Sequence, residues 1–288
     1  MQPLLPPQVE QVVVGQGAAS DRVVVGDGAT LSLILVGEND GFVGGCGCDQ
    51  SPRGGLARVA TLVDARRKAE PEVPALLLHA GNWLSVSGSM GKLDPRTIER
   101  NLAVHRALGE LRFDALAATW RDLPGIPDGP HPGMVSATFR SPGLTVLRQK
   151  EIDAGGVPLV VTSVSREGPP WLLPEGTEPL EPLAALATVE RRPEDLVVVF
   201  AYGLADRVEE LAALPDVDLV VDTAEWTGFW EPRVVGNAVV VRTRAQALTA
   251  DELRLWVDAG RITRLVDRVI PLDAALAEDR QVARHALD

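Results

Sequence analysis

An α/β fold of stacked layers, with helices covering largely buried sheets, is what this sequence predicts. From residue 31 onward, short apolar runs recur at strand length. Several are continuous rather than alternating, the mark of strands covered on both faces. The stretches between them carry the spacing of amphipathic helices.

In chain order, residues 1–30 hold two valine runs, Val12 to Val14 and Val23 to Val25, broken by Gly15, Gly17, Gly26 and Gly28. This reads as an extended arm or loose hairpin rather than a helix. The strand candidates are Leu31 to Val36, Ala75 to Leu78, Phe113 to Ala118, Leu159 to Val164, Leu196 to Phe200, Leu219 to Val221 and Val239 to Val241. Leu56, Val59, Ala60 and Val63 share one face of a helix over residues 56–69. Asp94-Pro95 supplies an N-cap and a first-turn proline for a second helix, expected to bury Ile98, Leu102 and Leu108. A third helix, Leu204 to Leu214, stops before Pro215. Leu253, Leu255 and Val257 alternate with polar residues ahead of Asp258-Ala259-Gly260, which predicts a hairpin. A short helix over residues 277–287 closes the chain. The expected organisation is an extended arm over 1–30 and a single domain over 31–288.

Composition narrows the function classes. The chain has 288 residues, 45% of them apolar, and a formal net charge of −12. A surface of that sign repels nucleic-acid phosphates and anionic lipid, so neither is an expected partner. No apolar run reaches 18 residues, and Met1 to Val14 lacks a basic segment, so neither a membrane span nor a signal peptide is read here. Two cysteines, Cys46 and Cys48, do not make a disulfide framework. They could hold one soft metal ion or form a redox pair, although a zinc site normally takes four ligands. A reduced tight turn is the simpler reading. Six Trp stand beside one Tyr and five Phe. Trp83, Trp120, Trp226 and Trp230 fall in predicted loops, where large rings imply a covered or partner-facing surface.

The loops at the strand ends carry a resemblance. Gly37-Glu-Asn-Asp-Gly-Phe-Val-Gly44, then Gly54-Gly-Leu-Ala-Arg58 opening a helix, then Leu76-Leu-Leu-His-Ala-Gly-Asn82 resemble the N-terminal domain of the 5′-nucleotidase branch of the calcineurin-like metallophosphoesterases. Leu111-Arg-Phe-Asp-Ala115, Asp218-Leu-Val-Val221 and Val269-Ile-Pro-Leu-Asp273 continue it, so that the likeness covers Leu31 to Asp288. Cys46-Gly-Cys48 is similar to an insertion in a bacterial subgroup that is mostly exported. That implies a periplasmic setting, with a cytoplasmic one left open. The resemblance implies a layered sandwich of mostly buried mixed sheets flanked by helices. It also implies two divalent metals bridged by the attacking hydroxide.

Carried over position by position, the ligand set is degenerate. Asp40 fits the first loop's acid, but Phe42 stands where its histidine should be. The bridging acid falls on Asn82, the Asn-His pair on Thr119 and Trp120, the lone late histidine on Tyr202. The closing Gly-His-x-His falls on Thr223-Ala224-Glu225-Trp226. Such a remainder cannot replace the hydration of two cations. His79 ends a strand near Asn82 and could point into the cleft, with a structural role favoured.

Two expectations follow. The favoured one is a non-catalytic metallophosphoesterase-fold protein, a structural or accessory subunit with protein partners, no cofactor and no small-molecule substrate. Its arm would be suited to adding a strand to a partner. The other is a residual phosphohydrolase using Asp40, Asn82 and Glu225, with His79 as a further candidate, around one divalent metal. A thiol metal or redox site at Cys46 and Cys48 could coexist with the first.

Overall fold

The computed structural model describes residues 6–45, 53–89, 92–126, 133–223, 231–243 and 248–286. Its strands are β1 (Gln8–Val13), β2 (Leu31–Val36), β3 (Ala75–His79), β4 (Gly88–Ser89), β5 (Lys92–Leu93), β6 (Ala115–Ala117), β7 (Met134–Val135), β8 (Phe139–Arg140), β9 (Lys150–Ala154), β10 (Val157–Ser165), β11 (Glu178–Pro179), β12 (Leu196–Tyr202), β13 (Leu219–Thr223), β14 (Arg233–Val235), β15 (Ala238–Arg242), β16 (Thr249–Asp258) and β17 (Arg261–Pro271). The helices are α1 (Ala19–Arg22), α2 (Leu56–Ala69), α3 (Pro95–Leu111), α4 (Pro182–Leu186), α5 (Val208–Ala212) and α6 (Arg280–Ala283). One sheet runs β1-β17-β16-β2-β3-β6-β7 and the other β14-β15-β13-β12-β10-β9, while β4 with β5 and β8 with β11 form small ladders.

Strand periodicity explains why these runs are almost wholly apolar. In β2, Leu31, Leu33 and Leu35 enter the cluster between the two sheets, while Ile34 and Val36 pack with α2 and α3. In β12, Leu196, Val198 and Phe200 enter the same central cluster, while Val197, Val199 and Ala201 pack with α4 and α5. Each sheet is therefore covered on both sides, giving helix, sheet, sheet and helix in four layers. The predicted hairpin is β16–β17, turning through Ala259 at φ 49° and Gly260 at φ 74°. Two successive left-handed residues match the twist of the flanking strands.

Three expectations are revised. On α3, Leu108 is buried, but Ile98 and Leu102 are 47% and 37% exposed. The inward face carries Thr97 and Asn101 instead, because the Asn101 amide closes on Ser85, accepting from its N–H (2.9 Å) and donating to its carbonyl (3.0 Å). The helix after β12 spans only Val208–Ala212, and the terminal helix only Arg280–Ala283, where Asp279 accepts from the N–H groups of Gln281 and Val282. The arm makes no hairpin between its valine runs. Its first run lies in β1, parallel to β17 on its own sheet, and a helical turn, α1, follows.

Arginines pin that arm down. Arg22, fully buried, donates to the carbonyls of Gly17 and Pro271 and pairs with Asp273 at 2.7 Å. Arg254 of β16 bridges Asp27 of the arm and Glu70 beyond α2. The arm thus docks on this chain, and its backbone pairing on the β17 side is already used. Among the described residues, no helix is long and apolar enough to cross a membrane.

Candidate functional site

The loops that follow β2, β3 and β6 meet at one end of the first sheet. Glu38, Asp40 and Gly41 in the first loop, and Gly81 and Asn82 in the second, all hold positive φ. The two loops zip together: the N–H groups of Glu38, Asp40 and Gly41 donate to the carbonyls of Gly81, Asn82 and Trp83, each at 3.1 Å. Left-handed backbone at non-glycine residues is sparsely populated and clusters at functional sites.

The β6 loop is tied to the β3 loop by Asp122, fully buried and absent from the sequence reading. Its carboxylate accepts from the N–H groups of Asn82 (3.1 Å), Trp83 (2.8 Å), Leu84 (3.1 Å) and Thr119 (2.9 Å), and from the Thr119 hydroxyl (2.8 Å). Burial pushes its carboxyl up to about 6, against the pull of these donors. The Thr-x-x-Asp spacing resembles a capping arrangement and was the available sequence signal. At Gly81, with φ 103°, an added Cβ would lie 2.5 Å from Thr119 Cγ2. Gly81→Ala is expected to destabilise the fold by about 2–3 kcal/mol, measured by urea denaturation; a loss below about 0.5 kcal/mol would contradict this packing.

His79 is buried and spends both ring nitrogens locally. Nδ1 accepts from the Gly81 N–H (3.2 Å), so Nε2 carries the hydrogen and donates to Asn39 Oδ1 (2.7 Å), whose amide donates to the Phe42 carbonyl (3.2 Å). Burial lowers its pKa to about 3, keeping it neutral. It braces the first loop, and no nitrogen lone pair remains for a metal.

The former ligand positions have separate fates. Asp40 accepts a hydrogen bond from Arg121 Nη2 at 3.0 Å in a half-exposed ion pair. Thr119 is committed to Asp122. Asn82 is buried, and its Oδ1 has no hydrogen-bond partner. Trp120 and Tyr202 are 7% and 1% exposed and join Trp83 in the helix-side core of the first sheet. A Cβ on Gly168 would come within 2.6 Å of Trp120, so the ring is packed hard against that backbone. Phe42 does not pack with these rings: it is 52% exposed and turns its ring toward Arg100 of α3. Of the two alternatives for loop tryptophans, covered or partner-facing, Trp83 and Trp120 take the first: both are buried within this chain and do not serve as an exposed interaction surface. The exposed ring that composition alone did not single out is Trp171, 69% exposed in a proline-flanked turn. Ala224, Trp226 and Trp230, and Cys46 and Cys48, lie outside the described residues, as does Glu225.

In the second sheet, Asp222, one residue before the end of β13, pairs with Arg242 of β15, whose Nε donates at 2.9 Å. Burial raises the Asp222 carboxyl, and Arg242 opposes that rise.

No family model and no curated protein matches this sequence. Solved structures match over most of it. Sulfate thiohydrolase SoxB of Thermus thermophilus, in complex with glycerol, superposes with a TM-score of 0.70 at 16% identity, over 91% of this chain and 60% of that one. A 5′-nucleotidase precursor from Thermus thermophilus gives 0.66 at 20% identity, over 88% and 57%. The calcineurin-like phosphoesterase YfkN of Bacillus subtilis gives 0.59 at 15%, over 89% and 95%. The chain has the calcineurin-like metallophosphoesterase fold. At such identities the likeness fixes the fold and leaves activity to the residues. Among the described residues no three His, Cys, Asp or Glu side chains gather to hold a metal. A neutral amide, a half-exposed carboxylate held by a guanidinium and two buried aromatic rings do not fit a two-metal centre.

Proposed function

We propose that this chain is a non-catalytic metallophosphoesterase-fold protein that serves as a structural or accessory subunit of a protein assembly. The observation that carries the reading is the Asp40–Arg121 pair. Asp40 is the one acid kept from the family's set, and a guanidinium 3.0 Å away supplies the positive charge a cation would otherwise bring. Trp120, whose ring lies 5.7 Å from the Arg121 guanidinium, and Tyr202 are buried rings at two further positions of that set.

Elemental mass spectrometry on protein purified without chelator or affinity metal tests the loss of catalysis. Well under one equivalent of Mn, Fe or Zn per chain is expected, and two equivalents would restore a phosphoesterase. Light scattering coupled to size exclusion, on protein isolated gently from its source, tests the assembly. Migration as a lone monomer would remove the subunit reading.

One observation favours a second reading, a hydrolase with a single metal. The buried Asn82 Oδ1 has no partner, and Asp40 retains solvent access. That reading requires metal-dependent phosphoester turnover that Asp40→Ala abolishes. Under the proposed function, Asp40→Ala changes no turnover and costs less than about 1 kcal/mol, as for other half-exposed ion pairs.

A further inference from the structure

The loop that carries Phe42 has a second side, away from the packed rings. Between residues 41–45 and the first turns of α3 lies a cavity of about 840 Å3, within the size range of small-molecule sites. We propose that it binds a small organic anion with a flat apolar body, the body lying on Phe42 and the anionic group on Arg96 and Arg100. This site is independent of whether the former metal cleft is active.

The walls divide by chemistry. Phe42 is half in water on one wall, whereas Phe113, Phe139 and Phe200 are all buried. The Arg100 guanidinium stands 5.1 Å from the Phe42 ring centroid. An arginine held over a ring is oriented for planar anions, and the ring's free area suits a flat apolar group. Arg100 Nη2 donates to the Thr97 hydroxyl at 3.2 Å, and its Nε is buried without a partner. Neither Arg96 nor Arg100 forms an ion pair among the described residues, in a chain whose formal charge is −12.

Two carboxylates also border the cavity. Asp94 is committed to capping α3, accepting from the Thr97 N–H at 2.8 Å and the Thr97 hydroxyl at 3.0 Å. Glu99 is exposed and has no such commitment. It opposes an anion, which gives the charge argument a sign to be checked. The glycines at 41, 44 and 45 add no side chains beside Phe42 and Val43, which leaves room on that wall for a flat body.

Isothermal calorimetry with 2-naphthoate tests the site, with 2-naphthol as the uncharged body and acetate as the bare head group. Saturable 2-naphthoate binding in the low-millimolar range or tighter is expected, weakening with salt, with 2-naphthol and acetate much weaker. Arg100→Gln should weaken 2-naphthoate by about tenfold, the scale of one lost charge-assisted hydrogen bond. Phe42→Leu should weaken it several-fold, while Glu99→Gln should tighten it about twofold. Arg96→Gln, at an exposed position, reports on charge without a risk to folding. Absence of saturable binding overturns the proposal. So does equal binding of 2-naphthol, or 2-naphthoate affinity unmoved by both Arg96→Gln and Arg100→Gln.

Discussion

Arg254→Ala is expected to cost about 3–5 kcal/mol of folding stability, the range for removing one partner from a buried ion pair. Arg254 sits mid-strand in β16, fully buried, between Ser32 of β2 and Val266 of β17. Its Nη2 lies 2.5 Å from Asp27 and 2.7 Å from Glu70, and its Nε donates to Asp27 at 3.1 Å. Glu70 also accepts from the Gly26 N–H at 2.7 Å and from Arg66. Arg66 in turn reaches Glu252, which holds Arg268 and accepts the Ser32 hydroxyl. Burial alone would raise the Glu70 carboxyl, but the Gly26 N–H and Arg254 outweigh it and hold its pKa below the usual range. Glu70 is therefore ionised at neutral pH, and truncating Arg254 leaves its buried charge with Arg66 and the Gly26 N–H alone, while Asp27 loses the arginine that its carboxylate accepts from. By contrast, Lys68→Ala breaks an exposed pair with Asp64 and should change stability by less than about 0.5 kcal/mol. Because Asp27 and Gly26 belong to the arm, Arg254→Ala should also expose residues 17–30 to proteolysis. A urea midpoint close to that of the parent chain, with unchanged slope, would show that the network adds nothing.

The same network marks where the sequence stopped being legible. Runs such as Leu31–Val36 and Leu196–Tyr202 announced their strands because four-layer packing buries both faces, and the single serine in the first, Ser32, is too small a break to hide that signal. The inward face of α3 was misread because its buried positions hold Thr97 and Asn101, whose partners, Asp94 and Ser85, come from outside the helix. Trp83 reads as a surface ring only while the loop is taken as open. Once Asp122 gathers three consecutive N–H groups from residues 82–84, the loop folds over its own tryptophan. Donors about 40 residues from their acceptor leave no local pattern. The lost histidines, in contrast, were legible by identity alone, since metal ligation has few permitted side chains. What identity could not tell is how the residues at those positions are held. The answer divides by position: a guanidinium for Asp40, a backbone-gathering aspartate beside Thr119, packed rings at Trp120 and Tyr202, and at Phe42 a ring turned outward.

Two buried groups in these loops should make stability respond to pH in opposite directions. His79 is held down to about 3, against about 6.5 when unfolded. From about pH 6.5 down to 3 the unfolded chain binds a proton that the folded chain refuses, so stability falls on acidification, by about 5 kcal/mol over the full window. Asp122 runs the other way. Its folded value is pushed up to about 6, against about 3.9 when unfolded. Between these values the folded chain holds the extra proton, so stability rises on acidification, by about 3 kcal/mol. Between about pH 4 and 6 the two slopes nearly cancel, leaving the parent chain with only the fall that its other carboxylates impose. Removing either group uncovers the other. Urea midpoints across this window should climb toward acid in His79→Gln relative to the parent, and drop more steeply than the parent in Asp122→Asn. Both variants lose hydrogen bonds, so each starts from a lower stability. The slopes, not the intercepts, carry the test, and the common contribution of the arginine-paired carboxylates cancels between profiles. Parallel profiles in all three proteins would mean that neither group titrates differently on folding. For Asp122, the hydrogen bonds to its carboxylate would then offset its burial in full, leaving a charge at the centre of the zipped loops as stable as one in water.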